Sequence, residues 1–336
     1  MSESNTLKTS AHSAAGAVPT SVPSPLLVIV GPTAVGKTEI AIQLAERLGG
    51  EVVSADSRLF YRGMNIGTAK PTPEEQARAP HHLIDRSEPD EVWSLARFQN
   101  AARAVVQEIH ARNRLPLLAG GMGQYVHAVI HGWELPEQEP DHRLRDVLER
   151  WAAEVGGDAL HRRLAVVDPA AAGFIDARNV RRTIRALEVT LRTGRPFSEQ
   201  RGKATSPYSL LMVGLRRLRL ELYARVDARI EAMFAAGFVE EVKALLEKGY
   251  DPGLPTMSAI GYREVVAYLR GEMSLEEAVT QMKRNTRRYV RHQGAWFSQS
   301  DPNIHWFDVG PDTTEEILAL VRDPNTWIPP GTVLES

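Results

Sequence analysis

Over the first part of the chain, short bulky apolar runs alternate with stretches in which apolar residues return at helical spacing, and polar or glycine-rich segments separate them. Leu26 to Val30 is a run of the kind that makes a buried parallel strand, and Glu39 to Leu48 follows it with helical periodicity. Glu51 to Ser54 gives a second strand and Pro80 to Asp85 a third, while Tyr61 to Lys70, rich in small residues, reads as a loop. Trp93 to Arg112 is helical by periodicity. Leu115 to Ala119 is a fourth strand that runs into a glycine-rich turn, Gly120 to Tyr125.

At Trp133 this rhythm stops, with Pro136, Pro140 and Asp141 marking a boundary. Helical patterns then continue without a strand until Leu210 to Leu215. Leu220 to Lys248 reads as one long helix, Thr256 to Arg263 breaks around a glycine, and Ser274 to Glu277 is a capping box that opens another helix. Asn303 to Phe307 and Thr313 to Val321 supply a last strand and helix. The pattern predicts an α/β core on a parallel sheet, interrupted by an all-helical insertion between two of its strands. The boundaries that follow are a tail over 1–25, a first core part over 26–132, the insertion over 133–207, a second core part over 208–325 and a tail over 326–336.

Composition adds exclusions rather than a function. The 336 residues carry 40 Lys plus Arg against 42 Asp plus Glu, so a basic surface can arise only by segregation along the chain. There is no cysteine, which removes disulfides, zinc-thiolate sites and thiol nucleophiles and fits a reducing cytoplasm. No apolar run approaches the roughly 20 residues that span a bilayer. Residues 1–25, rich in Ser, Ala, Thr and Pro, read as a disordered tail rather than a targeting signal.

The chemistry begins at Gly31-Pro32-Thr33-Ala34-Val35-Gly36-Lys37-Thr38. A glycine loop between a strand and a helix, closed by Lys and Thr, surrounds a di- or triphosphate with backbone N–H groups. The lysine adds a point charge, and the Thr38 hydroxyl reaches a phosphate-bound Mg²⁺. This places the core among P-loop, nucleotide-kinase-like folds and makes the loop a diphosphate- or nucleotide-binding site. The strand after it delivers Asp56 to its carboxyl end, where open α/β sheets keep their ligand crevice; Asp-Ser after a strand is equally a helix cap. His81 and His82 are adjacent on a strand, so they face opposite ways and predict structural or positioning roles rather than a metal pair. The fourth strand closes on glycine, where a phosphate-hydrolysing relative carries its second magnesium carboxylate. A phosphate that is bound and released fits this better than one that is hydrolysed.

Two arginine-rich stretches lie far apart in sequence. Arg181, Arg182 and Arg185 stand in the insertion, and Lys283, Arg284, Arg287, Arg288, Arg291 and His292, with Tyr289 and Trp296 interleaved, stand in the capped C-terminal helix. Charge runs are usually solvated faces, but two of them, the second with interleaved rings, fit RNA phosphate contact and base stacking.

GPTAVGKT, Ser54 to Arg58, YRGMNIGTAKP, PHHLID, the glycine-rich strand end, RALEV and SAIGYRE occur in the order found in the tRNA dimethylallyltransferase family, and the resemblance runs from about Leu26 to Phe307. It implies transfer of a dimethylallyl group from dimethylallyl diphosphate to the exocyclic N6 amine of the adenosine at tRNA position 37, with diphosphate released. The partner is then the tRNA anticodon stem-loop, clasped by the helical insertion, and a monomeric cytoplasmic enzyme with no protein partner is expected. Lys37, Arg225 and Arg229 would stabilise the leaving diphosphate and Asp56 would act as base. The resemblance lays Asp56, Ser57, Arg58, Leu59 and Met122 along the RNA. It does the same for Arg145, for Arg181, Arg182, Thr183, Ile184 and Arg185, and for Ser258, Ala259, Ile260, Gly261, Tyr262 and Arg263.

The chain departs from the family in its glycine turn, where Met122 replaces a threonine, and near its C-terminal helix end, where His292 and Ala295 replace an arginine and a threonine. Gln124, two residues beyond Met122, is the candidate to stand in for the threonine hydroxyl. The alternatives are an isopentenyltransferase for free adenine nucleotides, which would not need the arginine-bearing insertion, and a P-loop small-molecule kinase, which the glycine-closed strand opposes. A non-catalytic RNA-binding protein is opposed by the intact loop together with Asp56.

Overall fold

A computed structural model describes residues 18–91, 93–131, 141–200 and 205–334. In chain order the elements are β1 (Pro25–Val30), α1 (Lys37–Leu48), β2 (Glu51–Ser54), α2 (Pro73–Arg78), β3 (His81–His82), α3 (Leu95–Ala111), β4 (Pro116–Gly120) and α4 (Gly123–Ile130). Four helices follow, α5 (His142–Val155), α6 (Gly157–Val167), α7 (Pro169–Phe174) and α8 (Val180–Thr193). Then come β5 (Ser209–Arg216), α9 (Arg219–Ala235), α10 (Phe238–Glu247), α11 (Tyr262–Leu269), α12 (Leu275–Gln293), β6 (Ile304–Asp308) and α13 (Thr313–Arg322).

The six strands form one sheet in the order β3-β2-β4-β1-β5-β6. All five pairings are parallel. β1 lies central, fully buried from Leu26 to Val30, and this explains a run with no polar alternation: a parallel strand covered by helices on both faces has no wet side. Val30 is level with Gly120 of β4 and Gly214 of β5, so the phosphate loop leaves the sheet between two strands that carry no side chain at that height. At Gly120 the space is taken: a Cβ there would stand 2.7 Å from both the Cβ and the carbonyl oxygen of Ala55.

Helices α5 to α8 pack on one another and own a separate apolar cluster around Leu148, Leu160, Leu164, Ile184 and Leu187. At its polar edge, Glu188 is fully buried and accepts from Arg145, Arg185 and the Asp141 amide at 2.8 Å each. Burial works to raise this carboxyl, but Arg185, the Asp141 amide and Arg145 together hold it below its usual range.

Several sequence expectations change. The long helix expected over Leu220 to Lys248 is two, α9 and α10, because Gly237 turns the chain at φ 94°, a left-handed value that side chains other than glycine resist. The third strand is two residues long, since Leu83 and Asp85 adopt positive φ and turn the chain away from β2. The turn expected over Gly120 to Tyr125 becomes helix from Gly123 onward. Neither tail is wholly one: Val22 is buried in the main core, and Trp327 is buried with its indole donating to the Val321 carbonyl, beside an antiparallel bridge from Ile328 to Leu210. The expected tail over 1–17 and the boundary from Trp133 to Pro140 lie outside the described residues.

Behind α4 the imidazoles of His127 and His131 stack, with Nδ1 of the first 2.6 Å from Nε2 of the second. Burial, reinforced by His127 and opposed by Asp301, pulls His131 down to about 4. An unfolded imidazole titrates near 6.5, so between about pH 6.5 and 4 the unfolded chain takes up a proton that the folded chain refuses. The stability contributed by neutral His131 is therefore complete above pH 6.5 and is lost as the pH falls. His131→Phe is expected to flatten the fall in denaturant midpoint across that window by the equivalent of about 1 to 3 kcal/mol. Parallel denaturation curves for variant and native chain throughout pH 4–7 would contradict this.

Candidate active site

A cavity of about 670 Å³ opens at the carboxyl ends of β1, β2 and β4 and is closed on its far side by α9 and α12. Thr33, Ala34, Gly36, Lys37 and Thr38 form its floor, while Gly31, Pro32 and Val35 of the same loop do not line it. In this loop the Lys37 ammonium donates to the carbonyls of Gly31 and Pro32, both at 2.9 Å, and α1 starts at Lys37 with its free amides directed at the space. Two arginines beyond β5 brace the loop: Arg217 donates to the Val35 carbonyl at 2.9 Å, and Arg225, which also lines the cavity, to the Ala34 carbonyl at 2.8 Å. Burial pulls Lys37 down to about 8, with the Asp56 carboxylate opposing and Arg229 adding to the fall. Burial also lowers Arg229 from its ordinary value.

Asp56 faces this floor from the end of β2. Its Oδ1 accepts the Arg58 amide at 2.9 Å, a local turn that fixes the carboxylate, and Oδ2 has no hydrogen-bond partner among the described residues. No helix follows until Pro73, so Asp56 caps a local turn rather than a helix, and its other oxygen is left for the cavity that Asp56 lines. Beside it, Ser57 donates to the Met122 sulfur at 3.1 Å, and Tyr289, pushed up to about 12 by burial, remains a protonated donor at neutral pH. The farther wall is apolar and is made by Val226, Ile230, Met233, Ile260 and Met282.

The structure gathers most of the expected site residues and excludes some. Thr33, Ala34, Gly36, Lys37, Thr38, Asp56, Ser57, Arg58, Leu59, Met122, Arg225 and Arg229 all line the cavity. Ala259, Ile260 and Tyr262 line it too, Tyr262 being fully buried with its hydroxyl donating to Glu241 at 2.6 Å, whereas Gly261 does not, and Ser258 and Arg263 are exposed outside the lining. Thr183 and Ile184 are buried in the insertion and cannot reach RNA without its opening. Arg145 and Arg185 are committed to Glu188, which leaves Arg181 and Arg182 as the exposed arginines of that stretch. Gln124 is exposed on α4 and does not line the cavity, so it does not stand in for the family's threonine hydroxyl; Ser57 is the polar group that touches the Met122 thioether.

Helix α12 also sorts its charges. Lys283 pairs with Glu231 at 2.6 Å and Arg287 with Asp227, while Arg284, Arg288, Arg291 and His292 are exposed. His81, which lines the cavity, and His82 each make one short polar contact. The first bonds the Ala79 carbonyl at 2.8 Å and the second the buried Glu51 at 2.6 Å, and no cluster of metal-ligating side chains occurs among the described residues.

Sequence reading missed Glu241. This carboxylate accepts the amides of Asn65 at 2.9 Å, Ile66 at 2.7 Å and Gly67 at 3.2 Å, and so holds the Tyr61 to Lys70 loop against the cavity. Its partners stand some 175 residues away, and nothing near Glu241 in sequence announces them. Gln293 was missed in the same way.

Known proteins similar to this chain are numerous. The family model described as IPP transferase matches residues 59–300. The tRNA dimethylallyltransferase of Roseiflexus sp. (strain RS-1) is 54% identical over 305 residues, which cover 90% of this chain and 99% of that protein. The tRNA dimethylallyltransferase of Thermomicrobium roseum is 51% identical over 285 residues, 85% of this chain and 86% of the relative. Among solved structures, the tRNA isopentenylpyrophosphate transferase of Bacillus halodurans superposes with a TM-score of 0.66 at 44% identity, covering 89% of this chain and 95% of that one. A eukaryotic dimethylallyltransferase acting on tRNA gives a TM-score of 0.76 at 27% identity, covering 88% of this chain and 77% of that one. Agreement at this level, along nearly the whole length of chain that carries the loop, Asp56 and the basic helix, makes this protein a member of the IPP transferase family and an enzyme of the tRNA dimethylallyltransferase type.

Proposed function

We propose that this chain moves a dimethylallyl group from dimethylallyl diphosphate to the exocyclic N6 amine of the adenosine at tRNA position 37, releasing diphosphate. The observation that carries the reading is the meeting of two opposed charges in one cavity, the Lys37 ammonium on the floor and the Asp56 carboxylate on the wall. The loop amides, Lys37, Arg225 and Arg229 take the diphosphate and stabilise the charge that develops as the allylic C1–O bond breaks. The apolar wall holds the dimethylallyl carbons away from water. On the other side the adenine amine is a poor nucleophile, because its lone pair is delocalised into the ring. As the C1–N6 bond forms, Oδ2 of Asp56 accepts the proton that the nitrogen loses. To reach that carbon the base must leave its stack.

Magnesium suits this floor. The Thr38 hydroxyl lines the cavity and makes no hydrogen bond to the described residues, so it is available to hold the ion, whose charge would neutralise part of the diphosphate. For the RNA, the exposed Arg284, Arg288 and Arg291 on α12 and Arg181 and Arg182 on α8 give cations without buried partners, suited to phosphate contact. Incubation with labelled dimethylallyl diphosphate is expected to put label on tRNA and to leave AMP unlabelled. Equal labelling of AMP would turn the reading to the free-nucleotide transferase.

A further inference from the structure

Helix α12 carries two stripes. Met282, Thr286, Tyr289 and Gln293 repeat at helical spacing, the first three lining the cavity, while Arg284, Arg288 and Arg291 repeat on the exposed side. Gln293 is the helix's last residue and is buried at 7% exposure, unusual for a polar residue at a helix end. Its Oε1 accepts the Thr33 amide at 2.8 Å, across 260 residues of sequence. Its Nε2 fits against Gly121, where an added Cβ would come within 2.5 Å of that nitrogen, so the glycine turn leaves room for the amide and for no side chain of its own.

The Thr33 amide belongs to the same peptide unit as the Pro32 carbonyl, and that carbonyl accepts Lys37 Nζ at 2.9 Å. The Pro32–Thr33 peptide is therefore gripped at both ends, its N–H by Gln293 and its C=O by Lys37. A peptide is planar, so rotation of the N–H away from Gln293 swings the carbonyl away from Lys37. We propose that Gln293 is a positioning residue for the phosphate loop: by fixing the Pro32–Thr33 peptide it sets where the Lys37 ammonium stands when the loop receives diphosphate. The inference rests on the loop's role as the diphosphate site under the reading above. It adds that the far end of the basic helix, rather than the loop alone, fixes the geometry of that site.

The test is a double-mutant cycle on binding of inorganic diphosphate with Mg²⁺, measured by calorimetry on the full chain without tRNA. Gln293→Met is expected to weaken diphosphate binding about 10-fold, the scale of one hydrogen bond. Lys37→Met alone is expected to weaken it more. Added to Lys37→Met, Gln293→Met should cost less than a further 2-fold, because the residue acts through the lysine. Gln293→Ala, run beside it, removes the same acceptor with less bulk, so if one variant does not fold the other completes the cycle. An unchanged affinity in Gln293→Met, or the same 10-fold loss in both backgrounds, overturns the inference. A Lys37→Met variant that binds diphosphate as tightly as the native chain overturns instead the reading of the loop, so the two failures are distinguishable.

Discussion

Asp56→Asn should bind tRNA with unchanged affinity and transfer almost nothing. The amide fills the same space, and its oxygen can still accept the Arg58 amide at the position of Oδ1, so the local turn is retained. What it cannot do is take a proton from nitrogen, because a carboxamide at neutral pH is no base. Loss of a positioned general base costs about 10²- to 10⁴-fold. The rate to measure is single-turnover transfer from saturating dimethylallyl diphosphate to tRNA, which separates chemistry from product release. Asp56→Asn within a factor of two of the native rate would leave the carboxylate with only its turn-capping role.

The second large effect is expected at a residue remote from the chemistry. Glu241→Leu removes the acceptor of three loop amides and of the Tyr262 hydroxyl. The Asn65 amide can turn to water, but those of Ile66 and Gly67 are partly buried, and the Tyr262 phenol is wholly so. Each buried donor left without a partner costs about 1 to 3 kcal/mol, so a loss of about 3 kcal/mol or more in unfolding free energy is expected. Transfer should fall too, because Gly67, Thr68 and Ala69 of the released loop line the cavity. Chemical denaturation measures the first effect. A loss under about 0.5 kcal/mol would show that the loop is held by its own turns, and that Glu241 is a surface acid with coincident neighbours.

How far the sequence could reach is visible in these two residues. Asp56 was legible because its setting is local: an apolar run, then a polar turn, at the end of the sheet where ligands bind. The loop before it was legible for the same reason, since strand, glycines and helix lie within a dozen residues and each element agrees with the next. Glu241 and Gln293 act on amides some 175 and 260 residues away, and no periodicity records such a pairing. The arginines failed in the other direction. Composition shows Arg145, Arg181, Arg182 and Arg185 as one class of cation, but a single buried carboxylate on the next helical turn, Glu188, claims two of them. Burial sorts like residues into partners and free charges, and burial depends on how helices pack rather than on what stands beside a residue in the chain.

The glycine that ends β4 has a consequence for what this scaffold can become. Phosphate-hydrolysing relatives of the loop place an acid at the end of a neighbouring strand, and introducing one here looks like a single substitution, Gly120→Asp. The space is taken: the first carbon of the new side chain would stand 2.7 Å from the Cβ and the carbonyl oxygen of Ala55, just past the end of β2 and anchored by its own amide to the Ala119 carbonyl. Two neighbouring strands would have to separate before the acid could be seated. An acid at this position is therefore opposed by the spacing of the sheet itself rather than by the shape of the ligand cavity.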